Sequence, residues 1–309
     1  KTEGRVVPMQ QQKISFFTAV VMTVNVIVGA GLFAGVNDIS AIAGSAGFFT
    51  WIVATLCLLP VVHCIAKLAT MIPEAGGFYR YTTVALGRKM GFMTGWLYFI
   101  AYTFAVTTVL NAFRESLLAK LPGNVILESP AFFLVILISL VTMLNLIRLS
   151  LVGSVQTYLT FVKMIPVIFV FLFIPFFFSN GFSITPDEWK AVFTPGALTG
   201  ALFGLMGSEF AVNMSDKIEG GAKQISKIVF TAFGIVAMIH AGFHYGLLQI
   251  MGTPGFLESK AIGFPIFIGT KFPLLAVPIA AIVTAAFYLT FFNSSNGILT
   301  LISTLLHTL

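Results

Sequence analysis

The sequence predicts an all-α polytopic membrane protein, and three observations carry that prediction. Of its 309 residues, 58% are hydrophobic and only 9% are charged, whereas soluble domains contain about 25% charged residues. The mean hydropathy of +0.99 excludes a water-soluble globular protein. The apolar residues form continuous runs of about 20, the length that a helix needs to cross a bilayer. The strands of a membrane β-barrel would instead alternate apolar and polar residues.

Eight apolar runs are long enough to be predicted as membrane spans. They cover residues 14–36, 39–66, 91–118, 129–147, 151–178, 196–215, 228–252 and 272–306. The last run exceeds one straight span, so it is either a single long kinked helix or two spans with a turn near residues 293–297.

The distribution of basic residues predicts how the spans are oriented. With the N-terminus inside, the inner loops hold eleven Lys and Arg residues and the outer loops hold five. Basic residues favour the cytoplasmic side, so segment 1–13 is predicted to be cytoplasmic. The net charge of +6 is then explained by these loops, and no nucleic acid partner is expected. The compact loops and short termini favour a bacterial inner membrane.

Two spans contain glycines near their middle. Span 1 carries Gly29 and Gly31 around Ala30, and span 6 carries Gly204 and Gly207. Taken alone, the first pair indicates either an unwound hinge with exposed backbone groups or a groove for close helix packing. If the chain is two repeats of five spans, the second inverted, both pairs occupy matching positions. That arrangement favours the substrate site of a transporter.

Apart from Arg114 and Glu115 near the outer end of span 3, two charged residues fall within the predicted spans, Lys163 in span 5 and Glu209 in span 6. A charge at the bilayer centre costs about 2.5–3.5 kcal/mol, so both are candidates for function. His240 and His244 have a spacing typical of metal ligands, but no third ligand is evident and no metal site is predicted. No arrangement of catalytic groups and no phosphate-binding loop is present. We therefore expect neither an enzyme nor a cofactor.

Four segments resemble the amino acid–polyamine–organocation transporter family. Residues 29–33 are similar to its G-[SA]-G-[IV]-F motif, and residues 73–96 to its P-x-x-G-G-x-Y-x-Y…L-G…G-F-x-x-G-W stretch. Asn145, residues 155–156 and residues 163–166 resemble N…V-Q…K-x-x-P. Residues 203–209 resemble F-x-F-x-G-[FW]-E, although Leu205 and Ser208 replace aromatic residues of that pattern.

The resemblance implies a leucine-transporter-type inverted-repeat bundle with broken helices 1 and 6. The first repeat would cover residues 14–178 as spans 1–5, and the second would cover residues 196–309 as spans 6–8. Members of the family typically have twelve spans, so the second repeat is expected to be incomplete and the chain to be a fragment.

The resemblance also implies where a substrate would bind. Amides near Gly29, Ala30 and Gly31 would meet its carboxylate, and carbonyls near Phe203 and Gly204 would meet its ammonium group. The other candidate substrate-binding residues are Asn25, Phe33, Trp96, Tyr98, Tyr102, Gly207 and Ser208. Each aromatic residue has packing as its alternative role. On span 8, Asn293 and Ser294 either line the pathway or bond between helices.

Lys163 resembles a built-in cation that replaces the sodium ion of related transporters. It would carry a coupling proton or act as a fixed structural brace. A glutamate at the Glu209 position is tied to pH sensing in exchangers of the family.

The predicted function is secondary active transport of amino acids by alternating access, coupled to protons or by exchange. The expected partners are an amino acid or related small amine, protons and the lipid bilayer. A polyamine or basic amino acid antiporter is the alternative within transport. A membrane sensor or partner subunit that does not transport is the alternative outside it.

Overall fold

A computed structural model of the chain describes residues 14–72, 76–118, 121–146, 149–177, 183–208, 210–213, 218–260 and 263–308. Within these ranges the regular structure is helical, with two short 3-10 turns and one isolated β-bridge between Ile14 and Ile218. The all-α prediction is confirmed.

The α-helices of the described residues are numbered in chain order. They are α1 (Phe16–Ile27), α2 (Ala30–Ala43), α3 (Gly47–Met71), α4 (Gly77–Leu86), α5 (Arg88–Leu118), α6 (Val125–Glu128), α7 (Pro130–Leu146), α8 (Leu149–Phe173), α9 (Pro186–Ala191), α10 (Pro195–Gly204), α11 (Phe210–Asn213), α12 (Ala222–Ser259), α13 (Phe264–Lys271) and α14 (Pro273–Thr308).

Five helical segments of the described chain are long and apolar enough to cross a membrane. They are Ala30–Met71, Arg88–Leu118, Tyr158–Phe177, Lys223–Ser259 and Pro273–Leu299. Several such segments in one chain make it an integral membrane protein that crosses the bilayer more than once. Predicted spans 1 and 6 do not appear as single long helices, because each is divided into shorter ones. The last predicted span is one continuous helix, α14.

Three boundaries differ from those predicted. The first span was expected to end at residue 36, but α2 continues to Ala43, since Phe33, Val36 and Ile39 form one buried face while Asp38 is exposed on the other. Helix α4 lies between predicted spans 2 and 3, where no helix was predicted. Helix α12 extends beyond both predicted ends and is kinked at Gly252, whose φ is 67°.

Spans 1 and 6, the two spans with glycines near their middle, are each interrupted at those glycines. Helix α1 ends at Ile27, and Val28 (ψ 94°) and Gly29 (φ −147°, ψ −151°) are extended before α2 begins. Helix α10 ends at Gly204 and is followed by a turn over residues 205–208. Gly207 has a φ of 105°, a conformation that favours glycine because it has no Cβ.

The long helices α12 and α14 each pack on several others. Helix α12 packs on α3, α1 and α8, and α14 packs on α5, α8 and α13. Helix α10 packs on α2 and α3, so the two interrupted spans lie against each other.

Glu188 of α9 stabilises the turn between α2 and α3 through hydrogen bonds. The Glu188 carboxylate accepts hydrogen bonds from the backbone N–H groups of Ser45 and Thr185, each at 2.8 Å. Partial burial would raise the pKa of this carboxyl, but the hydrogen bonds from Thr185 and Ser45 outweigh burial and hold the pKa below its ordinary value. Ser45 Oγ also lies 2.5 Å from Thr253 Oγ1, which ties the turn to the kink of α12.

Candidate functional site

The two interrupted helices meet through their glycines. A Cβ on Gly31 would lie 2.9 Å from the Cα of Gly204, and a Cβ on Gly207 would lie 3.1 Å from Val26 Cγ1. Both distances are shorter than ordinary carbon contacts, so a side chain at Gly31 would push the two backbones apart and one at Gly207 would press on the Val26 side chain. Span 1 combines both predicted features, because the helix is interrupted at Gly29 and a Cβ on Gly29 would also lie only 2.5 Å from Ser294 Oγ.

A cavity lies beside this contact and is lined by residues of both interrupted helices. Eleven of its lining residues are sequence candidates: Asn25, Gly29, Ala30, Gly31, Tyr102, Lys163, Phe203, Gly204, Gly207, Asn293 and Ser294. The remaining lining residues are Val26, Ile27, Ala105, Val109, Met206, Gly297 and Ile298. Spans 1, 3, 5, 6 and 8 of the sequence therefore converge on one cavity.

One edge of the cavity is the N-terminus of α2. The first amide N–H groups of a helix lack partners within the helix and carry partial positive charge. Here the Ala30 N–H donates to Ser294 Oγ at 3.1 Å, so α14 caps the start of α2. The neighbouring amides make this edge suited to an anion such as a carboxylate.

The ammonium group of Lys163, a residue of α8, lies at the C-terminal end of α1, on the opposite side of the interruption. Its side chain is only 2% exposed, and its Nζ donates to the backbone carbonyl of Asn25. In an uninterrupted helix that carbonyl would accept from the N–H of Gly29, four residues later. The interruption frees the carbonyl, and Lys163 takes the place of the missing amide. The negative end of the α1 dipole also favours a cation here.

Two buried amide oxygens in the lining have no hydrogen-bond partner within the described chain. They are Asn25 Oδ1 and Asn293 Oδ1. A buried acceptor without a donor costs about 1–3 kcal/mol, so the cavity has capacity for further hydrogen-bond donors. Of the span 8 polar residues, Asn293 and Ser294 both line the cavity, and Ser294 also bonds between helices.

Two predicted aromatic residues lie away from the cavity. Phe33 is buried between Phe243 and Phe287, with ring centroids 5.5 and 5.4 Å away, so it packs within the core. Trp96 is 41% exposed and contacts Phe99 on its own helix. It projects from a different face of α5 than Tyr102, which is 5% exposed and lines the cavity.

The other predicted residues outside the lining are Tyr98 and Ser208. Tyr98 lies behind Tyr102, to whose hydroxyl oxygen it donates a hydrogen bond at 3.2 Å. Ser208 is buried next to Gly207 but does not line the cavity. Glu209 lies outside the described residues.

The sequence did not identify the apolar wall of the cavity. Ala105 and Val109 follow Tyr102 by three and seven residues, the spacing of one helix face, and Ile298 of α14 also lines the cavity. That spacing is the only signal that could have found the two α5 residues. Lys163 is the one charged residue among the described lining residues.

Comparison with known proteins gives the family. A sequence profile of the family described as amino acid permease matches residues 14–305. The chain belongs to this family of amino acid permeases. Its relatives are transporters rather than enzymes, as predicted.

Three relatives of the chain come from Bacillus subtilis (strain 168). The glutamate/serine transporter AimA is 26% identical over 77% of this chain and 47% of its own length. The methylthioribose transporter is 22% identical over 93% of this chain and 68% of its own length. The serine/threonine exchanger SteT is 25% identical over 79% of this chain and 56% of its own length. The chain thus spans about half to two thirds of the length of these relatives.

Proposed function

We propose that the protein is a secondary active transporter of amino acids and that its substrate binds in the cavity between the two interrupted helices. The observation that carries this proposal is the meeting of two opposite helix ends in one cavity. The N-terminus of α2, around Ala30 and Gly31, offers amide donors, and the C-terminus of α10, at Phe203 and Gly204, offers carbonyl acceptors. A zwitterion carries a carboxylate and an ammonium group that match these two ends.

The charges of the cavity favour amino acids over polyamines and basic amino acids. Lys163 is the one charged residue in the described lining, and no described lining residue is acidic. A second positive group on the substrate would find no carboxylate there and would be repelled by the lysine when it is protonated. We therefore infer a substrate whose side chain is neutral or acidic. The substrates for which two relatives are named, glutamate/serine and serine/threonine, are of these kinds.

Lys163 is the proposed coupling residue. Its ammonium bonds a carbonyl that only the interruption of span 1 leaves available, so the bond depends on the geometry of the site. A lysine that loses this carbonyl when the helices move would release its proton more readily, because the buried charge would lose its partner. We propose that it carries the proton of the transport cycle. Spans 1–5 and spans 6–8 would belong to the two halves of an inverted repeat, with the N-terminus in the cytoplasm.

Uptake of labelled L-serine into proteoliposomes with an imposed pH gradient tests the proposal. Wild-type protein should concentrate L-serine, and unlabelled putrescine should not compete. Lys163→Ala should abolish accumulation driven by the pH gradient. The matched control is Lys271→Ala, since Lys271 also donates to a backbone carbonyl, that of Phe176, but does not line the cavity.

Three outcomes would contradict parts of the proposal. Binding of amino acids without flux would favour a sensor or partner subunit. Competition by putrescine would favour the antiporter of basic substrates. If Lys163→Ala and Lys271→Ala both concentrated L-serine as wild type does, Lys163 would be a brace and the coupling proton would bind elsewhere.

A further inference from the structure

A fully buried polar cluster lies directly behind the cavity and has no part in the proposed binding of the substrate. It consists of Trp51 on α3, His244 on α12 and Ser40 on α2, which are 0%, 0% and 1% exposed. None of the three lines the cavity. Polar side chains in a membrane interior are costly unless paired, so the way they are paired is informative.

The directions of the hydrogen bonds fix the state of His244. Trp51 Nε1 can only donate, and it lies 3.1 Å from His244 Nδ1, so this nitrogen is the acceptor. The imidazole is therefore neutral, with its proton on Nε2. That proton points to Ser40 Oγ, 2.6 Å away. A directional chain of hydrogen bonds thus runs from α3 through α12 to α2 and fixes the tilt of the indole ring.

The fixed indole ring supports the end of α10. A Cβ on Gly204 would lie 2.7 Å from both Cη2 and Cζ3 of Trp51, and one on Gly35 would lie 2.8 Å from Cη2. The ring therefore presses against the backbone of α10 at Gly204 and of α2 at Gly35. Gly204 in turn meets Gly31 at the edge of the cavity. Movement of the ring would move the carbonyl end of α10 relative to the amide end of α2.

We propose that Trp51, held by His244 and Ser40, is a positioning residue that sets the separation of the two helix ends that bind the substrate. This inference rests on the proposed function. Simple core packing would give a different result: loss of the cluster would then lower stability and leave the affinity of the folded protein unchanged.

Equilibrium binding of labelled L-serine, together with thermal unfolding of the same purified proteins, separates the two roles. His244→Leu removes the acceptor and should weaken L-serine binding about tenfold. His244→Gln retains an amide acceptor and donor and should restore most of the affinity. Phe264→Leu is the control, since Phe264 is also buried but lies in α13, which packs on α14 and α12, and does not line the cavity. It should lower the melting temperature while changing the dissociation constant less than about twofold.

A double variant keeps the test decisive if His244→Leu is unstable. Trp51→Phe combined with His244→Leu removes donor and acceptor together, so it should regain part of the melting temperature that His244→Leu loses. Its affinity should remain weak, and transport should show a raised KM with a smaller change in kcat. Wild-type affinity in the double variant or in His244→Leu would overturn the inference alone. Absence of L-serine binding to the wild-type protein would overturn the proposed function and this inference together.

Discussion

Replacing Gly31 with alanine is the smallest change that tests the contact between the interrupted helices. Its backbone conformation accepts any residue, so the effect of the added methyl group comes from its neighbours alone. That methyl group would lie 2.9 Å from Gly204 Cα, whereas ordinary contacts begin at 3.4 Å, so the two backbones must separate by about 0.5 Å. The atoms nearest this methyl group are backbone atoms of Gly204 and Phe203, and backbone cannot rotate away as a flexible side chain would.

The expected cost follows from this overlap. Forcing one methyl group into a packed interior costs about 1–3 kcal/mol. If the cost falls on the substrate-bound state, L-serine binding weakens by about 5–150-fold. The assay is equilibrium binding of L-serine, with thermal unfolding measured in parallel.

The matched control for this substitution is Gly200→Ala, one turn earlier on the same helix as Gly204. A methyl group there would meet Ile39 Cγ1 at 3.4 Å, an ordinary contact. Its affinity for L-serine should match wild type. If Gly31→Ala also kept wild-type affinity and melting temperature, the two helix ends would not be in contact as described, and the reasoning would be wrong.

Three further predictions concern the cap of α2, the membrane topology of the chain and the turn that Glu188 stabilises. Ser294→Ala should lower the free energy of unfolding by about 1 kcal/mol, because it removes the cap of α2. Ser295→Ala loses only a hydrogen bond within its own helix and should lower the free energy of unfolding by less. A cysteine at Thr82, in a protein without the two native cysteines, should resist impermeant thiol reagents in intact cells; labelling from outside would reverse the topology. The pKa of Glu188 in the folded protein lies below its ordinary value of 4.5. The stability that its ionised carboxylate contributes to the fold is therefore complete above pH 4.5 and is lost as the pH falls through the folded-state pKa. Glu188→Gln should remove this part of the acid dependence of stability, and an unchanged acid profile would contradict the hydrogen bonds assigned to the carboxylate.

The membrane fold and the positions of the interruptions could be predicted because their signals are local. Hydropathy over about 20 residues marks a span, and a glycine pair within a span marks a weak point of the helix. The interruptions at Gly29 and after Gly204 follow from such pairs. The end of the first span could not be placed, because Asn37 and Asp38 read as a loop in sequence but lie on a less buried side of a continuing helix.

The faces of the helices could not be predicted from the sequence. Trp96 and Tyr102 lie on the same helix, and both are aromatic, yet one faces outward and the other lines the cavity. Lipid and a largely apolar cavity select similar side chains, so composition does not distinguish the two faces. Helix α5 packs on both α4 and α14, and these contacts set its rotation. Trp51 and His244 likewise come together only in the fold, since 193 residues separate them.

A structure determined with a bound amino acid tests the central claim most directly. We expect a ligand beside Lys163 in the cavity, with its carboxylate within hydrogen-bond distance of the Gly31 amide, next to the Ala30 amide that Ser294 caps. Its ammonium group should lie against the carbonyls of Phe203 and Gly204. A ligand bound elsewhere, or one bound here in the reverse orientation, would contradict the account.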